Sequence, residues 1–197
     1  MYPVTLQGTR VRLRDFVPDD LDATMAIVGD PAVTRWLSFD TRTRADQARR
    51  LADDVARAQA DPRPDYYLAV EVAETAELVG FARLGPGNGH RCGEVGYAIR
   101  RDHQRQGYAG EATGLLLGLA FSDLGLHRVT AATGPDNTAS RAVLERLGFT
   151  FEGRMREHVF TNGAWRDSLL FSILEHEWAG PAPAPAPDAV PGRATER

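Results

Sequence analysis

Lysine is absent from this chain of 197 residues, so all 23 of its basic residues are arginine. The bias fits arginine-favouring codon usage in a GC-rich genome and leaves no lysine to be modified. A single cysteine, Cys92, excludes any internal disulfide and is consistent with a reducing compartment. No apolar run approaches the ~20 residues that a membrane-spanning helix needs, and Met1 to Arg10 has no apolar signal core, so a cytoplasmic location without membrane attachment is expected. The net charge of -4 argues against a chain that lives on nucleic acid or anionic lipid. The five histidines show no metal-ligand spacing with cysteine or acidic partners, and no metal is expected.

What is present is ordinary for one globular domain, with 43% apolar and 25% charged residues. Val11 to Phe16 alternates with period two and reads as a strand, and Pro18 with Asp19 and Asp20 starts a helix. Thr43 to Ala60 reads as a second helix, its inner stripe formed by Ala45, Ala48, Leu51, Ala52, Val55 and Ala58. Strands follow at Tyr66 to Val72, Leu78 to Leu84, Glu94 to Ile99 and Arg128 to Thr133, and two more flank the Asn162-Gly163 turn. This gives an α/β (α+β) chain with a mixed sheet of about seven strands and helices on both faces. The domain is expected over 1–178, with a Pro/Ala-rich disordered tail over 179–197.

The most informative stretch is Gln104-Arg105-Gln106-Gly107-Tyr108-Ala109-Gly110, between a buried strand and an amphipathic helix marked by Ala112, Leu115, Leu116 and Leu119. The first amides of such a helix lack internal partners and sit at the positive end of its dipole, which suits a pyrophosphate. It is neither a Walker loop, which needs Gly-Lys-Ser/Thr, nor a three-glycine dinucleotide fingerprint. Gln104, Gly107 and Ala109 instead match the Gln/Arg-x-x-Gly-x-Gly/Ala signature of the GNAT acyl-CoA N-acyltransferases. Gly125 to Val129, Asn137 to Ser140 and Leu147 to Phe149 continue the match in order. Over about residues 93 to 157 the chain resembles the RimJ/RimL-like branch of that family.

The resemblance implies the GNAT fold and direct transfer of an acetyl group from acetyl-CoA, as co-substrate, to a primary amine. The pyrophosphate would lie on the amides of Arg105 to Gly110, and the pantetheine arm would pair with the backbone of Tyr97, Ala98 and Ile99. Arg100 and Arg101 are placed to suit a cofactor phosphate. The resemblance also places Ser140 near the CoA sulfur, as an acid for the leaving thiolate, and Asn137 on the pantetheine; Asn137 reads equally as a helix N-cap. Tyrosine is missing from this second helix, which offers Ala142, Val143 and Leu144 instead.

An attacking amine must lose a proton, since a primary amine of pKa ~10.4 is protonated at neutral pH. Glu94 is the preferred base, on the same strand face as Gly96 and Ala98; a solvent-facing carboxylate is the plain alternative. Glu157 and Asp40 are weaker candidates. The acceptor site is expected from Arg35 to Asp40, with Trp36, Phe39 and Asp40 as contacts, and from the hairpin of Asn162 and Trp165, giving an aromatic pocket with an acidic rim. Of Tyr66 and Tyr67, alternation sends one to the core and one to the cleft, and Tyr67 is taken for the cleft. The expected acceptor is a small-molecule amine (amino sugar, amino acid derivative or amine antibiotic) or, alternatively, a protein or peptide N-terminus. A non-catalytic CoA-binding module is the reading from another class. A homodimer is compatible with all three.

Overall fold

The computed structural model describes residues 2–180. Its strands are β1 (Thr5–Gln7), β2 (Val11–Asp15), β3 (Tyr66–Val72), β4 (Leu78–Pro86), β5 (Cys92–Ile99), β6 (Arg128–Thr133), β7 (Thr150–Thr161) and β8 (Ala164–Leu174). Its helices are α1 (Leu21–Val28), α2 (Pro31–Thr34), α3 (Arg44–Ala58), α4 (Tyr108–Gly118) and α5 (Thr138–Arg146). The strands form one mixed sheet in the order β1-β2-β3-β4-β5-β6-β8-β7. Every neighbouring pair is antiparallel except β5 and β6. The sheet has eight strands where the sequence pattern gave about seven. The addition is β1, an edge strand of three residues too short to carry a period.

Period two sorts the side chains onto two faces. Val11 and Leu13 of β2, Leu68 and Val70 of β3, and Val95 and Ile99 of β5 pack in one cluster with Leu116 and Leu117 of α4. Those two leucines are fully buried, each contributing about 1.5–3 kcal/mol. Burial of α4 extends beyond the stripe expected from its sequence, to Thr113 and Gly114. Two residues from later in the chain cover it: Trp178 and Leu147 each lie 3.9 Å from where a Gly114 Cβ would be. The expectation of a disordered tail falls, for residues 181–197, outside the described residues.

The opposite face is covered by α1, α2 and α3, around Phe16, Ile27, Leu51, Phe81 and Ala98. Here the inner stripe of α3 differs from the alanine-rich one expected. Gln47, Leu51, Asp54 and Ala58 are buried, while Ala45, Ala48 and Ala52 face outward. Two inward polar residues are tolerated because arginines reach them: Arg42 Nη1 donates to Gln47 Oε1 at 2.9 Å, and Arg50 Nη2 lies 2.8 Å from Asp54 Oδ1. The Thr43 hydroxyl accepts from the Asp46 amide and caps the helix.

One buried ion pair ties these layers to the sheet. The Arg63 side chain is 3% exposed and places Nη2 at 2.6 Å and Nη1 at 3.2 Å from the two carboxylate oxygens of Asp15. Asp15 Oδ2 also accepts from the Val4 amide at 2.8 Å, fixing the chain just before β1. Removing one partner leaves the other charge buried alone. Arg63→Ala should therefore lower the unfolding free energy by about 3–5 kcal/mol in urea titration. Adding Asp15→Asn should recover part of that loss. A single-variant loss below about 1 kcal/mol would show that the pair does not hold this corner.

Candidate active site

The site begins where two strands part. β5 and β6 pair only at Cys92–Arg128, Gly93–Val129 and Glu94–Thr130, whereas β5 stays paired with β4 as far as Ile99. The Gly87 amide donates to the Cys92 carbonyl and the Arg100 amide to the Val79 carbonyl, which sets the alternation of the β4 ladder. Even residues of β5 exchange their backbone bonds with β4. Odd residues turn theirs toward the missing β6. The open edge therefore presents Val95, Tyr97 and Ile99, and the Ile99 carbonyl is taken by Gln104 Nε2 at 3.0 Å. Ala98, expected to share in backbone pairing at this edge, directs its amide and carbonyl to Phe81 of β4, and its side chain is buried against the α1–α3 layer.

At the end of this edge the chain turns into α4. Arg105 and Gly107 both adopt left-handed backbone, at φ 64° and 81°. The turn exposes the amides of Tyr108, Ala109 and Gly110 ahead of the first backbone bond of the helix, from the Glu111 amide to the Gly107 carbonyl. A Cβ at Gly110 would meet nothing within 4 Å, so the cradle is open. These groups fit a pyrophosphate: amides at a helix start with clear space before them. The loop is braced by a residue that sequence reasoning missed. Arg10, in the turn before β2, donates from Nη1 to the Gln106 carbonyl at 2.9 Å and pairs through Nε with Glu111 at 2.9 Å. Glu111 also accepts from the Arg10 amide at 2.7 Å, and these bonds hold its carboxyl below the usual range despite partial burial. A separation of 101 residues hid the contact.

Arg100 is not free for a phosphate. Its guanidinium pairs with Glu77 at 2.6 Å and Asp102 at 2.7 Å. Arg101 is exposed beside it.

Across the parting, α5 approaches β5 through side chains. Asn137 caps α5 by accepting from the Ser140 amide at 3.2 Å, so the capping role holds. The Ser140 hydroxyl lies 2.9 Å from the Tyr97 hydroxyl. Burial drives the Tyr97 phenol up to about 12, against the lowering effect of that hydrogen bond. Tyr97 entered the sequence reading for its backbone alone. Its odd position, shared with Val95 and Ile99, is the signal that turns its ring toward α5, and it supplies the tyrosine hydroxyl that the α5 sequence lacks.

The other face of β5 holds Glu94, exposed and one strand step from Gly96, whose Cβ direction is open space within 4 Å. The structure also joins the two segments expected to frame the acceptor. Asp40 accepts from the Asn162 amide at 2.7 Å, and Arg166 donates to the carbonyls of Arg35, at 2.6 Å, and Leu37. Trp36 is half-buried, with the Arg35 guanidinium 4.4 Å from its ring. Phe39 is half-buried under Arg42, 4.0 Å from its ring. Trp165 lies 60% exposed on the opposite strand face from Arg166, edge-on to Phe160.

Tyr66 packs in the α4-side core, and Tyr67 lies on the acceptor face between Phe16 and Phe81, with ring centroids at 5.5 and 5.0 Å. Asp40 is spent on the hairpin cap, and arginines 42, 50 and 83 act on the Tyr67 hydroxyl. Asp54 acts on the Tyr67 hydroxyl as well. Glu157 is exposed in a bulge of β7 at φ 48°, its amide donating to Asp167 Oδ1 at 2.8 Å. Among the described residues no group of histidine, cysteine and carboxylates is placed to hold a metal ion, and no helix is long and apolar enough to cross a membrane.

Residues 10–150 match the family model described as acetyltransferase (GNAT) domain. The chain is 31% identical over 179 residues to an uncharacterized N-acetyltransferase, p20, of Bacillus licheniformis, covering 89% of this chain and 99% of that protein. It is 28% identical to the [ribosomal protein uS5]-alanine N-acetyltransferase of Escherichia coli, over 57% of this chain and 59% of that one. Among solved structures it superposes on Mycobacterium smegmatis RimJ in complex with CoA-disulfide at a TM-score of 0.76, with 27% identity over 92% of each chain. With the strand parting, the helix-start cradle and this similarity together, the chain belongs to the RimJ/RimL-like branch of the GNAT family and is an acyl-CoA-dependent N-acetyltransferase.

Proposed function

We propose that the protein transfers an acetyl group from acetyl-CoA directly to the primary amine of a small acceptor. The observation that carries this reading is the open edge of β5, with backbone groups of Val95 and Tyr97 on the donor side and the Glu94 carboxylate on the acceptor face of the same strand. The donor would be held by that edge and by the amides of Arg105 to Gly110, with Gln104 and Gln106 shaping the loop and Asn137 beside the arm. It supplies an activated acyl thioester.

Glu94 takes a proton from the acceptor ammonium, directly or through one water, and frees the lone pair for attack on the acyl carbon. Collapse breaks the C–S bond, the nitrogen, cationic after its attack, gives its second proton to water to leave the amide, and the Tyr97–Ser140 pair is set toward the departing sulfur. The Tyr97 hydroxyl can also donate to the Ser140 carbonyl at 3.3 Å, so a proton turns to the sulfur when that longer bond is given up. With Tyr97 near 12 and a thiol near ~8.5, full proton transfer is uphill. The pair therefore stabilises the thiolate by hydrogen bonding, and solvent protonates it.

Trp36, Phe39, Asp40 and Tyr67 frame the acceptor. The clasp between Arg166 and the carbonyls of Arg35 and Leu37 closes one side of this space and favours a slender acceptor. A chain N-terminus is the second reading. It is favoured by similarity to the uS5-alanine N-acetyltransferase, and a single extended terminus would also fit a clasped site.

The deciding experiment is CoA release from acetyl-CoA against small amines, amino sugars, amine antibiotics and short peptides, with mass spectrometry of the products. An acetylated amine is expected; acetyl-CoA binding without turnover on any acceptor would sink the catalytic reading. Glu94→Gln should lower kcat by about 10²–10⁴ with acetyl-CoA affinity unchanged, and an unchanged kcat would remove Glu94 as the base.

Tyr97 also predicts alkaline behaviour. Its folded pKa, about 12, lies above the ordinary ~10, so the stability it contributes is fully present below pH ~10 and is lost as pH rises toward 12. Tyr97→Phe should flatten that part of the unfolding-midpoint profile and lower kcat at neutral pH. An identical alkaline slope in both proteins would refute the buried-phenol assignment.

A further inference from the structure

The residues around Tyr67 carry more positive charge than the fold uses. The Tyr67 phenol is raised by burial and by Asp54 and is pulled down by Arg42, Arg50 and Arg83, with Asp65 3.6 Å from Arg83. Arg50 is matched by Asp54. Arg42 and Arg83 are not matched in this way. Among the described residues, Arg42 bonds the neutral amide oxygen of Gln47 and lies over the Phe39 ring, and burial lowers its pKa. Arg83 has only a 3.6 Å approach to Asp65, which Arg57 already holds at 3.0 Å. Half-buried cations without a full counter-charge are costly, and an anion in the space before them would offset that cost.

The sheet register gives that space a position. Tyr67, Arg83 and Gly96 are partners in one row across β3, β4 and β5, and Gly85 and Glu94 are partners in the next row of the same face. The Arg83 guanidinium lies along its strand over Gly85, with Nη2 2.3 Å from where a Gly85 Cβ would be. It thus sits beside the register partner of Glu94, about one strand spacing of ~4.8 Å away. Gly96, bare of side chain, leaves the floor between them open.

From this we infer that the acceptor is an amine carrying a carboxylate within a few bonds, the amine placed at Glu94 and the carboxylate read by Arg83. The inference rests on the acetyl-transfer reading for which amine is acetylated, and it narrows the substrate class. A guanidinium fork matches a carboxylate bidentately, which a neutral amide cannot reproduce. The same chemistry is offered by the α-carboxylate of a free amino acid and by an acidic side chain next to a peptide N-terminus.

The test measures product binding and needs no turnover. With saturating CoA, N-acetylalanine and N-acetylalaninamide are titrated calorimetrically as one pair, and the acetylated dipeptide amides of Ala-Asp and Ala-Asn as the other. The acid should bind about tenfold or more tightly than its amide in at least one pair, and which pair does so identifies the source of the carboxylate. Arg83→Gln should bring the ratio close to one, and Arg83→Lys should restore it only in part. Gly96→Leu, which adds a side chain into open space, should weaken both members of the pair.

Equal affinities in both pairs, no binding of any of the four, or a preference that survives Arg83→Gln would overturn the assignment. An acid preference together with failed acetyl transfer would instead overturn the catalytic reading and leave the carboxylate subsite standing. Circular dichroism and CoA binding of each variant separate these results from misfolding. Arg57 still pairs Asp65 when Arg83 is replaced.

Discussion

A backbone amide and carbonyl that leave a sheet need new partners, and that requirement organises this molecule. β5 loses β6 after Glu94 yet runs on to Ile99 against β4, so one edge of a central strand is unpaired in the middle of the sheet. Such an edge is normally a liability, closed by a neighbour or blunted by charge. Here its surroundings are those of a slot. One carbonyl is absorbed by Gln104, the end of the slot meets the open amides of α4, and the far wall is α5, held by its Asn137 cap. An extended ligand with amide groups of its own would complete the ladder, as a strand would.

The same strand explains how donor and acceptor chemistry are kept apart. Along β5, odd residues turn their backbone to the slot and their side chains to α4 and α5. Even residues give their backbone to β4 and their side chains to the other face. Tyr97 can therefore contribute both a backbone group and a hydroxyl to the donor side, while Glu94 and Gly96 belong to the acceptor side. A slip of one residue against β4 would exchange the two sets. The register with β4 runs without a bulge from Gly93 to Ile99, and burial of Val95, Ala98 and Ile99 on their respective faces fixes it.

What could be read from the sequence was what is encoded locally. The strand of Glu94, the glycine turn into α4, the Asn137 cap and the Asn162-Gly163 hairpin each depend on a few adjacent residues, and each appears where its pattern lies. What could not be read depends on partners far along the chain. The inner stripe of α3 was assigned to alanines because they are apolar, but long arginines reach inward and make Gln47 and Asp54 the better-satisfied buried residues. The Arg10–Glu111 brace and the Tyr97–Ser140 contact span 101 and 43 residues, and no periodicity announces them. β1 is missed for the opposite reason, since three residues are too few to show a period.

The acceptor face shows why net charge is a poor guide to a site. A chain of net charge -4 reads as suited to cations, and that figure describes the whole surface, where exposed charges are screened over a Debye length of roughly 8–10 Å. Half-buried groups are screened less, and there geometry counts for more. Carboxylates near this face are already committed: Asp54 to Arg50, Asp65 to Arg57 and Asp40 to the hairpin amide. Glu94 stands apart from those pairs, and Arg83 has only its 3.6 Å approach to Asp65. Subtracting the internal pairs leaves Glu94 with the Arg83 guanidinium over its register partner Gly85, so local pairing sets the charge that an acceptor meets.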